Sequence, residues 1–269
     1  MACRPAGRSS PTTTATESYP VLLLQFTDTH LLGTPGVEVR GVATDVTLVR
    51  CLEHARQRHP APRALLLTGD LVQDDRGGYA RVHQQFAGAG VPVHCLPGNH
   101  DSPMDLRAEL AGPPFVHDLS NRYDGWLVVM LDSTVAGANH GHLAATEIAR
   151  LDQALRQNAD AYALVCLHHH PVPHGSPWLD ALMLDNSAEL FAVLARHPRV
   201  RGLLWGHVHQ ALDGTRGRLR LMGTPSTCMQ FEPDAEEFNV DSRPPAYRWL
   251  ELGDDGSLKT GIEWVAEDD

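Results

Sequence analysis

The segment LPGNHD, residues 96–101, decides how the chain is organised. It follows a short apolar run, residues 91–96, and begins with the turn-forming pair of proline and glycine. An amide, an imidazole and a carboxylate then follow one another. The amide of Asn99 can offer a neutral oxygen to a metal ion, and the imidazole of His100 can carry a proton. This order favours a site at the end of a strand rather than a position in a packed core.

Four other apolar runs, at residues 21–26, 64–67, 161–167 and 200–205, end in the same way. They are followed by the blocks Asp28-x-His30, Gly69-Asp70, His168-His169-His170 and Gly206-His207-x-His209. Segments with helical spacing lie between several runs, at residues 44–58, 77–88 and 144–157. Alternating strands and helices predict an α/β protein, in which sites gather at the carboxyl ends of strands. We therefore expect the five blocks to meet in space.

The two ends of the chain differ from this alternating part. Residues 1–19 are rich in Thr, Ser, Ala and Pro, which predicts a disordered tail. Residues 20–269 contain no linker-like stretch, so we predict a single domain. Its last part, residues 211–269, predicts two hairpins, one around Asp213-Gly214 and one around residues 254–256. These hairpins are expected to complete a sheet or to form a cap.

Charge, apolar run length and cysteine usage exclude several classes of protein. The formal net charge of −11 argues against a broad surface for nucleic acid or for an anionic membrane. No apolar stretch approaches the roughly 20 residues that span a bilayer, and the N-terminus lacks the apolar core of a secretory signal. The five cysteines show no CxxC spacing, which predicts reduced thiols and a cytoplasmic location. The sequence leaves homo-oligomer formation open.

Together, the five blocks offer the ligands of a site for two metal ions. A carboxylate can bridge two cations, while imidazole nitrogens and an amide oxygen complete each coordination shell. Mixed oxygen and nitrogen ligation fits Mn, Fe or Zn better than Ca or Mg. Two metal ions about 3.5–4 Å apart are a common arrangement for displacement at phosphorus. Each block alone is a weak signal, because Asp is also a favoured turn residue, but all five at strand ends point to one site.

Over residues 21–225 the set D-x-H, GD, GNHD, H-x-P and GHxH resembles the calcineurin-like metallophosphoesterases. Within that superfamily, the chain is most similar to bacterial class III 3′,5′-cyclic-AMP phosphodiesterases. The segments that carry this similarity are TDTHL, TGDLVQD, LPGNHD, LHHHPVPHGSPWLD, WGHVHQ and GTPSTCMQF. The resemblance implies a four-layer α/β/β/α sandwich, in which helices flank two mixed β-sheets. It also implies hydrolysis of 3′,5′-cyclic AMP to 5′-AMP.

The resemblance further implies a role for each block. Two divalent metal ions are expected, Fe²⁺ or Mn²⁺, with Zn²⁺ as the alternative. The implied metal ligands are Asp28, His30, Asp70 and His209 for the first ion, and Asp70, Asn99, His169 and His207 for the second. A hydroxide between the ions would attack phosphorus in line, and His100 would protonate the leaving O3′ oxygen. The implied contacts of the cyclic nucleotide are His30, Asn99, His100 and His209.

Two of these assignments stay open. His169 is chosen because His-x-Pro follows the strand in the superfamily, and His168 is the alternative. The superfamily often orients its catalytic histidine with an aspartate three residues after the bridging Asp. Gln73 occupies that position here, so the next residue, Asp74, is the candidate to orient His100. Orientation by another group is the alternative.

Three features outside the metal blocks have competing interpretations. Asp101 is expected to act as a turn or helix-capping residue rather than in the chemistry. Asn186 and Glu189 fit a capping box at the start of a helix that runs to residue 197. Trp178 lies in the Pro/Gly loop after the consecutive histidines, where it either packs against its surroundings or stacks on a purine ring.

The metal blocks alone do not choose between substrates. The same blocks occur in enzymes that act on cGMP, 2′,3′-cyclic nucleotides, glycerophosphodiesters or phosphomonoesters, so each of these is a rival to cyclic AMP. A non-catalytic binding scaffold on the same fold is a rival of another class. Such a scaffold is expected to lack a ligand or the proton donor, and this sequence retains them all.

Overall fold

Two six-stranded sheets form the centre of the molecule. The computed structural model describes residues 20–267, so the predicted tail at residues 1–19 lies outside the described residues. The strands are β1 (Val21–Phe26), β2 (Glu38–Val39), β3 (Val42–Ala43), β4 (Ala64–Thr68), β5 (Val93–Leu96), β6 (Phe115–Val116), β7 (Ser120–Tyr123), β8 (Trp126–Met130), β9 (Tyr162–Cys166), β10 (Val200–Trp205), β11 (Leu212–Arg216), β12 (Leu219–Gly223), β13 (Gln230–Phe231), β14 (Val240–Asp241), β15 (Ala246–Leu252) and β16 (Leu258–Trp264).

Both large sheets combine a parallel centre with antiparallel strands. The first sheet has the order β16-β15-β1-β4-β5-β6, in which β1, β4, β5 and β6 are parallel. The second has the order β11-β12-β10-β9-β8-β7, in which β12, β10, β9 and β8 are parallel. The short pairs β2–β3 and β13–β14 form two separate two-stranded sheets.

Helices cover the outer face of each sheet. They are α1 (Thr44–Arg58), α2 (Gly78–Phe86), α3 (Pro103–Glu109), α4 (Ala145–Gln157), α5 (Pro177–Asp180) and α6 (Ser187–Arg196). Buried residues of α1, α2 and α3 pack on the first sheet, and those of α4, α5 and α6 pack on the second. This arrangement confirms the predicted sandwich of two mixed sheets flanked by helices. Within residues 20–267, none of the helices combines the length and apolar character that crossing a bilayer requires.

Strand β1 shows how its sequence produces these layers. Successive side chains of a strand point to opposite faces, and both faces of β1 are covered. Val21 and Leu23 pack into the core between the two sheets, whereas Leu24 and Phe26 pack into the core under the helices. A strand that is buried on both faces reads as a continuous apolar run, which is why the alternation expected for a half-exposed strand is missing here.

A buried polar network joins the two sheets directly below their carboxyl ends. The side-chain amide of Gln25 on β1 donates to Thr68 Oγ1 at 2.8 Å, and Thr224 Oγ1 donates to Gln25 Oε1 at 2.5 Å. The guanidinium of Arg248 on β15 donates to Thr224 Oγ1 at 2.9 Å and to Gly223 O at 2.9 Å. Arg248 is fully buried, and this burial lowers its pKa. The network holds the first sheet in a defined position on the second, because its hydrogen bonds join residues of the first sheet to residues of the second.

The two C-terminal hairpins extend the large sheets. Hairpin β15–β16 adds to the first sheet through β1, and its turn contains residues 254–256 as predicted. Hairpin β11–β12 adds to the second sheet through β10, but the prediction of its turn at Asp213-Gly214 is wrong. Both residues lie within β11, and the turn is formed by Gly217 and Arg218. Gly217 has a φ of +63°, which glycine adopts without steric cost. The assignment of residues 20–269 to one domain stays a prediction.

The predicted capping box of α6 is also wrong. The Asn186 side chain makes no capping hydrogen bond to the helix. Its amide instead donates to Leu143 O at 2.9 Å, and its oxygen accepts from Leu143 N at 3.0 Å. The side chain therefore links the start of α6 to the segment before α4, a long-range contact that the local pattern does not contain.

Candidate metal centre

Five parallel strands deliver the predicted ligands to one edge of the sandwich. The ligand blocks after β1, β4 and β5 leave the first sheet, and those after β9 and β10 leave the second. Backbone hydrogen bonds link the segments that follow these strands. Asp28 N donates to Gly69 O at 3.0 Å, and His30 N donates to Asp70 O at 3.0 Å. Across the sheets, His207 N donates to the Asp28 carboxylate at 3.0 Å.

Left-handed backbone conformation is shared by three of the five ligand blocks, those that follow β1, β4 and β10. Residues with a positive φ are Asp28 at 54°, His30 at 45°, Asp70 at 50°, His207 at 68° and His209 at 48°. This conformation costs about 1–2 kcal/mol for each residue that carries a Cβ atom. Such strain persists only where the surrounding structure imposes it, and it clusters at functional sites. These three blocks are therefore held in sharp turns that direct side chains into one centre.

Two glycines are required because no side chain fits at their positions. A Cβ atom on Gly98 would lie 2.2 Å from Asp70 Oδ1 and 2.7 Å from His168 Cε1. A Cβ atom on Gly206 would lie 2.1 Å from Thr27 Oγ1 and 2.6 Å from Asp28 Oδ2. The sequence predicts that these glycines allow sharp turns. The structure adds that they leave room for the two carboxylates.

The first ligand group contains Asp28, His30, His209 and Asp70. His209 Nε2 lies 3.3 Å from Asp28 Oδ1, and His30 Nε2 lies 3.2 Å from His209 Nε2 and 3.8 Å from Asp70 Oδ2. His209 Nδ1 donates to Met229 O at 2.7 Å, so a neutral His209 ring keeps its lone pair on Nε2. Burial lowers the pKa of His30 to about 4, so this ring is neutral at pH 7 and available as a ligand.

The second group contains Asp70, Asn99, His168 and His207. His168 Nε2 lies 3.3 Å from Asp70 Oδ2 and 3.3 Å from Asn99 Oδ1. His168 Nδ1 donates to Thr68 O at 2.8 Å, which leaves Nε2 facing two oxygen acceptors. Burial disfavours the charged ring, yet the Asp70 carboxylate raises the pKa of His168 to about 9. A positive charge is therefore favoured at this position, and a metal ion or a proton can supply it.

The neighbouring histidines have different surroundings. His169 Nδ1 lies 2.8 Å from Ser133 Oγ, and His169 Nε2 is buried without a hydrogen-bond partner. Side-chain nitrogens of His168, His169 and His207 still lie within 4.8 Å of one another. Both ring nitrogens of His170 are buried without a hydrogen-bond partner, and its ring stacks on His207 with centroids 5.5 Å apart. Of the three consecutive histidines, His168 is therefore the one in contact with both Asp70 and Asn99.

The chemistry of the two groups fits metal ions. Each group combines oxygen and nitrogen donors, with Asp70 common to both, and its atoms converge in a buried space. Burial acts to raise the pKa of Asp28 and Asp70, but the surrounding histidines hold both pKa values below the ordinary one. Two buried carboxylates in one site need a compensating positive charge. Divalent ions with mixed oxygen and nitrogen ligands supply that charge.

His100 lies beside this centre in contact with Asp74. His100 Nδ1 is 2.7 Å from Asp74 Oδ2, and the His100 backbone N donates to Asp70 Oδ1 at 2.9 Å. Asp74 reaches this position with a φ of 51°. Gln73 also contacts His100, with Nε2 at 3.1 Å from Nδ1. The structure thus brings together the residues predicted as proton donor and orienting carboxylate.

A cleft of about 240 Å³ opens onto the centre. The four residues predicted to contact substrate line it, namely His30, Asn99, His100 and His209. Trp178, Phe231 and Phe238 also line the cleft, together with Arg40. The sequence pattern identified Trp178 as a candidate but missed the other three. They lie in short hairpins far apart along the chain, where no periodic pattern indicates a common surface.

The motifs are found together in one known family. The family model for calcineurin-like phosphoesterases matches residues 21–211, which contain all five blocks. The chain belongs to the calcineurin-like phosphoesterase family. The residues matched include both ligand groups and His100.

Relatives of this calcineurin-like phosphoesterase match over nearly their full length. The 3′,5′-cyclic adenosine monophosphate phosphodiesterase of Pseudomonas aeruginosa is 39% identical over 246 residues, covering 91% of this chain and 90% of the relative. The Haemophilus influenzae protein of the same description is 38% identical, with 92% and 91% covered. A 3′,5′-cyclic-nucleotide phosphodiesterase of Nostoc is 32% identical, with 93% and 94% covered.

Solved structures support the fold. A dimetal phosphatase from Danio rerio superimposes with a TM-score of 0.63 at 14% identity, covering 92% of this chain and all of that one. Purple acid phosphatase from yellow lupin seeds gives the same TM-score at 13% identity, covering 94% of this chain and 53% of that one. At these identities the similarity concerns the sandwich architecture alone.

Asp101 links two of the ligand-bearing loops of this calcineurin-like phosphoesterase. Its carboxylate accepts from Gly98 N at 2.9 Å, Leu71 N at 3.1 Å and Val72 N at 3.3 Å, and from the Tyr79 hydroxyl at 3.0 Å. Burial raises the pKa of the Asp101 carboxyl to about 7. The predicted turn is present, but the carboxylate holds the loop after β4 against the loop after β5.

The helix-cap interpretation of Asp101 is wrong. The N-cap of α3 is Ser102, whose Oγ accepts from Asp105 N at 3.3 Å. Both Asp and Ser are common N-cap residues, so the local sequence did not separate them.

We predict that Asp101→Ala lowers the free energy of unfolding by about 3 kcal/mol, because it leaves buried backbone N–H groups unpaired. Urea denaturation of purified protein measures this change. Asp118→Ala is the matched control, since Asp118 is an exposed carboxylate, and it should shift stability by less than about 0.5 kcal/mol. Equal unfolding midpoints for the two variants would contradict the role given to Asp101.

Proposed function

We propose that this chain is a metal-dependent phosphodiesterase that hydrolyses 3′,5′-cyclic AMP to 5′-AMP. The observation that carries the proposal is the pair of ligand groups that share Asp70 and open onto one cleft. Relatives named as cyclic-AMP phosphodiesterases, matched over about nine-tenths of both chains, support the choice of substrate.

We propose His168, in place of His169, as a ligand of the second ion. The support is that His168 Nε2 contacts both Asp70 and Asn99, whereas His169 Nε2 makes no hydrogen bond to either of them. The proposed ligands are then Asp28, His30, Asp70 and His209 for the first ion, and Asp70, Asn99, His168 and His207 for the second. Asp70 is the proposed bridging residue, since it is within 4 Å of a histidine of each group.

The proposed ions are Fe²⁺ or Mn²⁺, with Zn²⁺ also compatible with the nitrogen and oxygen donors. Bound in this centre, two divalent ions lower the pKa of water and neutralise charge on the phosphate. The protein contributes a rigid donor set, because three of the ligand blocks are held in left-handed turns and backbone hydrogen bonds link the blocks to each other.

His100 is the proposed proton donor to the leaving oxygen. When its Nδ1–H donates to Asp74, the other ring nitrogen, Nε2, remains available to a substrate in the cleft that His100 lines. In the proposed reaction an oxygen derived from water forms the new bond to phosphorus, the bond between phosphorus and O3′ breaks, and the His100 proton passes to O3′. Asp74 acts by orienting the ring through its contact with Nδ1.

We also propose a cytoplasmic location. The described cysteines Cys51, Cys95, Cys166 and Cys228 are free and buried. Burial raises the pKa of Cys51 and Cys228 to about 12, so these thiols remain protonated and unreactive. Free thiols of this kind are typical of proteins in a reducing compartment.

A substrate panel with metal analysis on the same sample tests the proposed activity. We expect metal-loaded protein to hydrolyse cyclic AMP with release of 5′-AMP, and to hold about two metal ions per chain. Cyclic GMP, 2′,3′-cyclic AMP and glycerophosphocholine are the comparison substrates. Intact cyclic AMP alongside rapid hydrolysis of another diester would refute the substrate assignment. Intact diesters throughout, with metal bound, would favour a binding scaffold.

Metal content of two neighbouring variants tests the choice of ligand. We expect His168→Ala to lose about one of the two ions, because it removes a nitrogen that contacts both Asp70 and Asn99. We expect His169→Ala to retain both ions at saturating metal, with at most a roughly 10–100-fold weaker affinity. Elemental analysis after removal of free metal provides the measurement. The reverse pattern would make His169 the ligand.

The dependence of activity on the leaving group tests the roles proposed for His100 and Asp74. His100→Ala should lower kcat for cyclic AMP by about 10²–10⁴-fold with metal content unchanged. Asp74→Asn should lower it less, because it impairs orientation without removing the imidazole. Bis(p-nitrophenyl) phosphate releases p-nitrophenolate, which leaves without a proton, so His100→Ala should lose much less activity on this substrate. An equal loss on both substrates would argue against proton donation.

A further inference from the structure

One part of the cleft wall is aromatic and begins at the metal centre. Phe231 stacks on His209, a ligand of the first group, with ring centroids 3.9 Å apart and an interplanar angle of 7°. Phe238 meets Phe231 edge to face at 5.2 Å, and Trp178 meets both phenylalanines at 5.3 Å. A continuous aromatic surface therefore runs outward from a metal ligand to the mouth of the cleft.

The outer end of this wall is exposed and carries a cation. Phe238 is 37% exposed, and the guanidinium of Arg40 lies 4.3 Å from the centre of its ring. Arg40 is itself exposed, at the turn between β2 and β3, where it has a φ of 50°. Phe238 and Arg40 both line the cleft, so the exposed part of this ring is accessible to a ligand that enters it.

A nucleobase fits this surface. If the phosphate lies at the metal centre, the ribose and the base must extend from it along the cleft, whose only described aromatic wall is this one. Aromatic side chains stack on bases, and an arginine adds a cation–π contribution. Three of its side chains are aromatic rings in mutual contact, so it favours large ring systems over small ones.

Resting on the proposed function, we propose that Phe238 and Arg40 form the base-binding platform of this site, supported from behind by Trp178 and Phe231. The platform recognises the purine ring of the cyclic nucleotide, because a purine offers a larger face than a pyrimidine. It determines the affinity for substrate and leaves the chemical step to the metal centre and His100. The turn of β2–β3 and the segment between β13 and β14 thereby become parts of the site.

Steady-state kinetics of Phe238→Ala and Arg40→Ala test the platform. Phe238→Ala should raise KM for cyclic AMP by about 5- to 150-fold, the range expected for loss of stacking on one base, with kcat within about twofold of wild type. Arg40→Ala should raise KM by a smaller factor. The conservative change Phe238→Tyr should retain the wild-type KM. A base-free analogue, 1,2-dideoxyribose 3′,5′-cyclic phosphate, should be turned over equally well by all these proteins.

Arg216→Ala is the matched control. Its guanidinium lies 4.1 Å above the ring of Phe191, so the same kind of contact is removed from a surface outside the cleft. KM for cyclic AMP should be unchanged in this variant.

Two results would overturn the platform. One is an unchanged KM for cyclic AMP in Phe238→Ala. The other is an equal loss of activity on cyclic AMP and on the base-free analogue, which would mean that Phe238 only holds the hairpins in place. Wild-type protein that leaves cyclic AMP intact would instead refute the proposed function, and the platform with it. The two failures are therefore distinguishable, because only the second is seen in the wild-type protein.

Discussion

The burial of two carboxylates, Asp28 and Asp70, in one small space is the constraint on which the rest of the structure depends. Without a compensating positive charge this arrangement is unfavourable, because a buried carboxylate loses its hydration. The neighbouring histidines direct nitrogen atoms to the same space, and small residues such as Gly98 and Gly206 leave room for the carboxylates. The strained turns around them are tolerated because the surrounding cores and backbone bonds supply the stability that the centre itself lacks.

The ligands come from both sheets, so the relative position of the sheets matters as much as the loops. The core between the sheets is apolar, and apolar contacts allow small sliding movements. The buried network of Gln25, Thr224 and Arg248 adds directional bonds across this core, immediately below the centre. Directional bonds that are satisfied in one arrangement only are suited to fixing that arrangement. The metal centre is thus built on the alignment of two layers.

Much of this architecture could be predicted from the sequence, because buried strands read as apolar runs and each run ends in the residues it delivers. The choice between His168 and His169 stays a prediction, because consecutive residues of an extended segment point to opposite sides and the local sequence does not decide which one faces the centre. Errors arose where long-range contacts decide. Asp101 and Asn186 look like local caps, but each bonds to a distant loop. The aromatic wall combines residues near positions 40, 178 and 231–238, and no local pattern predicts that they share a surface.

The residues proposed to bind metal and those proposed to bind the base lie in different parts of the fold. The proposed metal ligands follow the central strands of the two large sheets, whereas Arg40 and Phe238 lie in connections of short two-stranded sheets that pair with neither of them. Substitutions at Arg40 and Phe238 therefore alter the proposed base-binding platform without changing a residue of either large sheet. A scaffold of this kind can bind new substrates while the residues proposed to carry out the reaction stay the same.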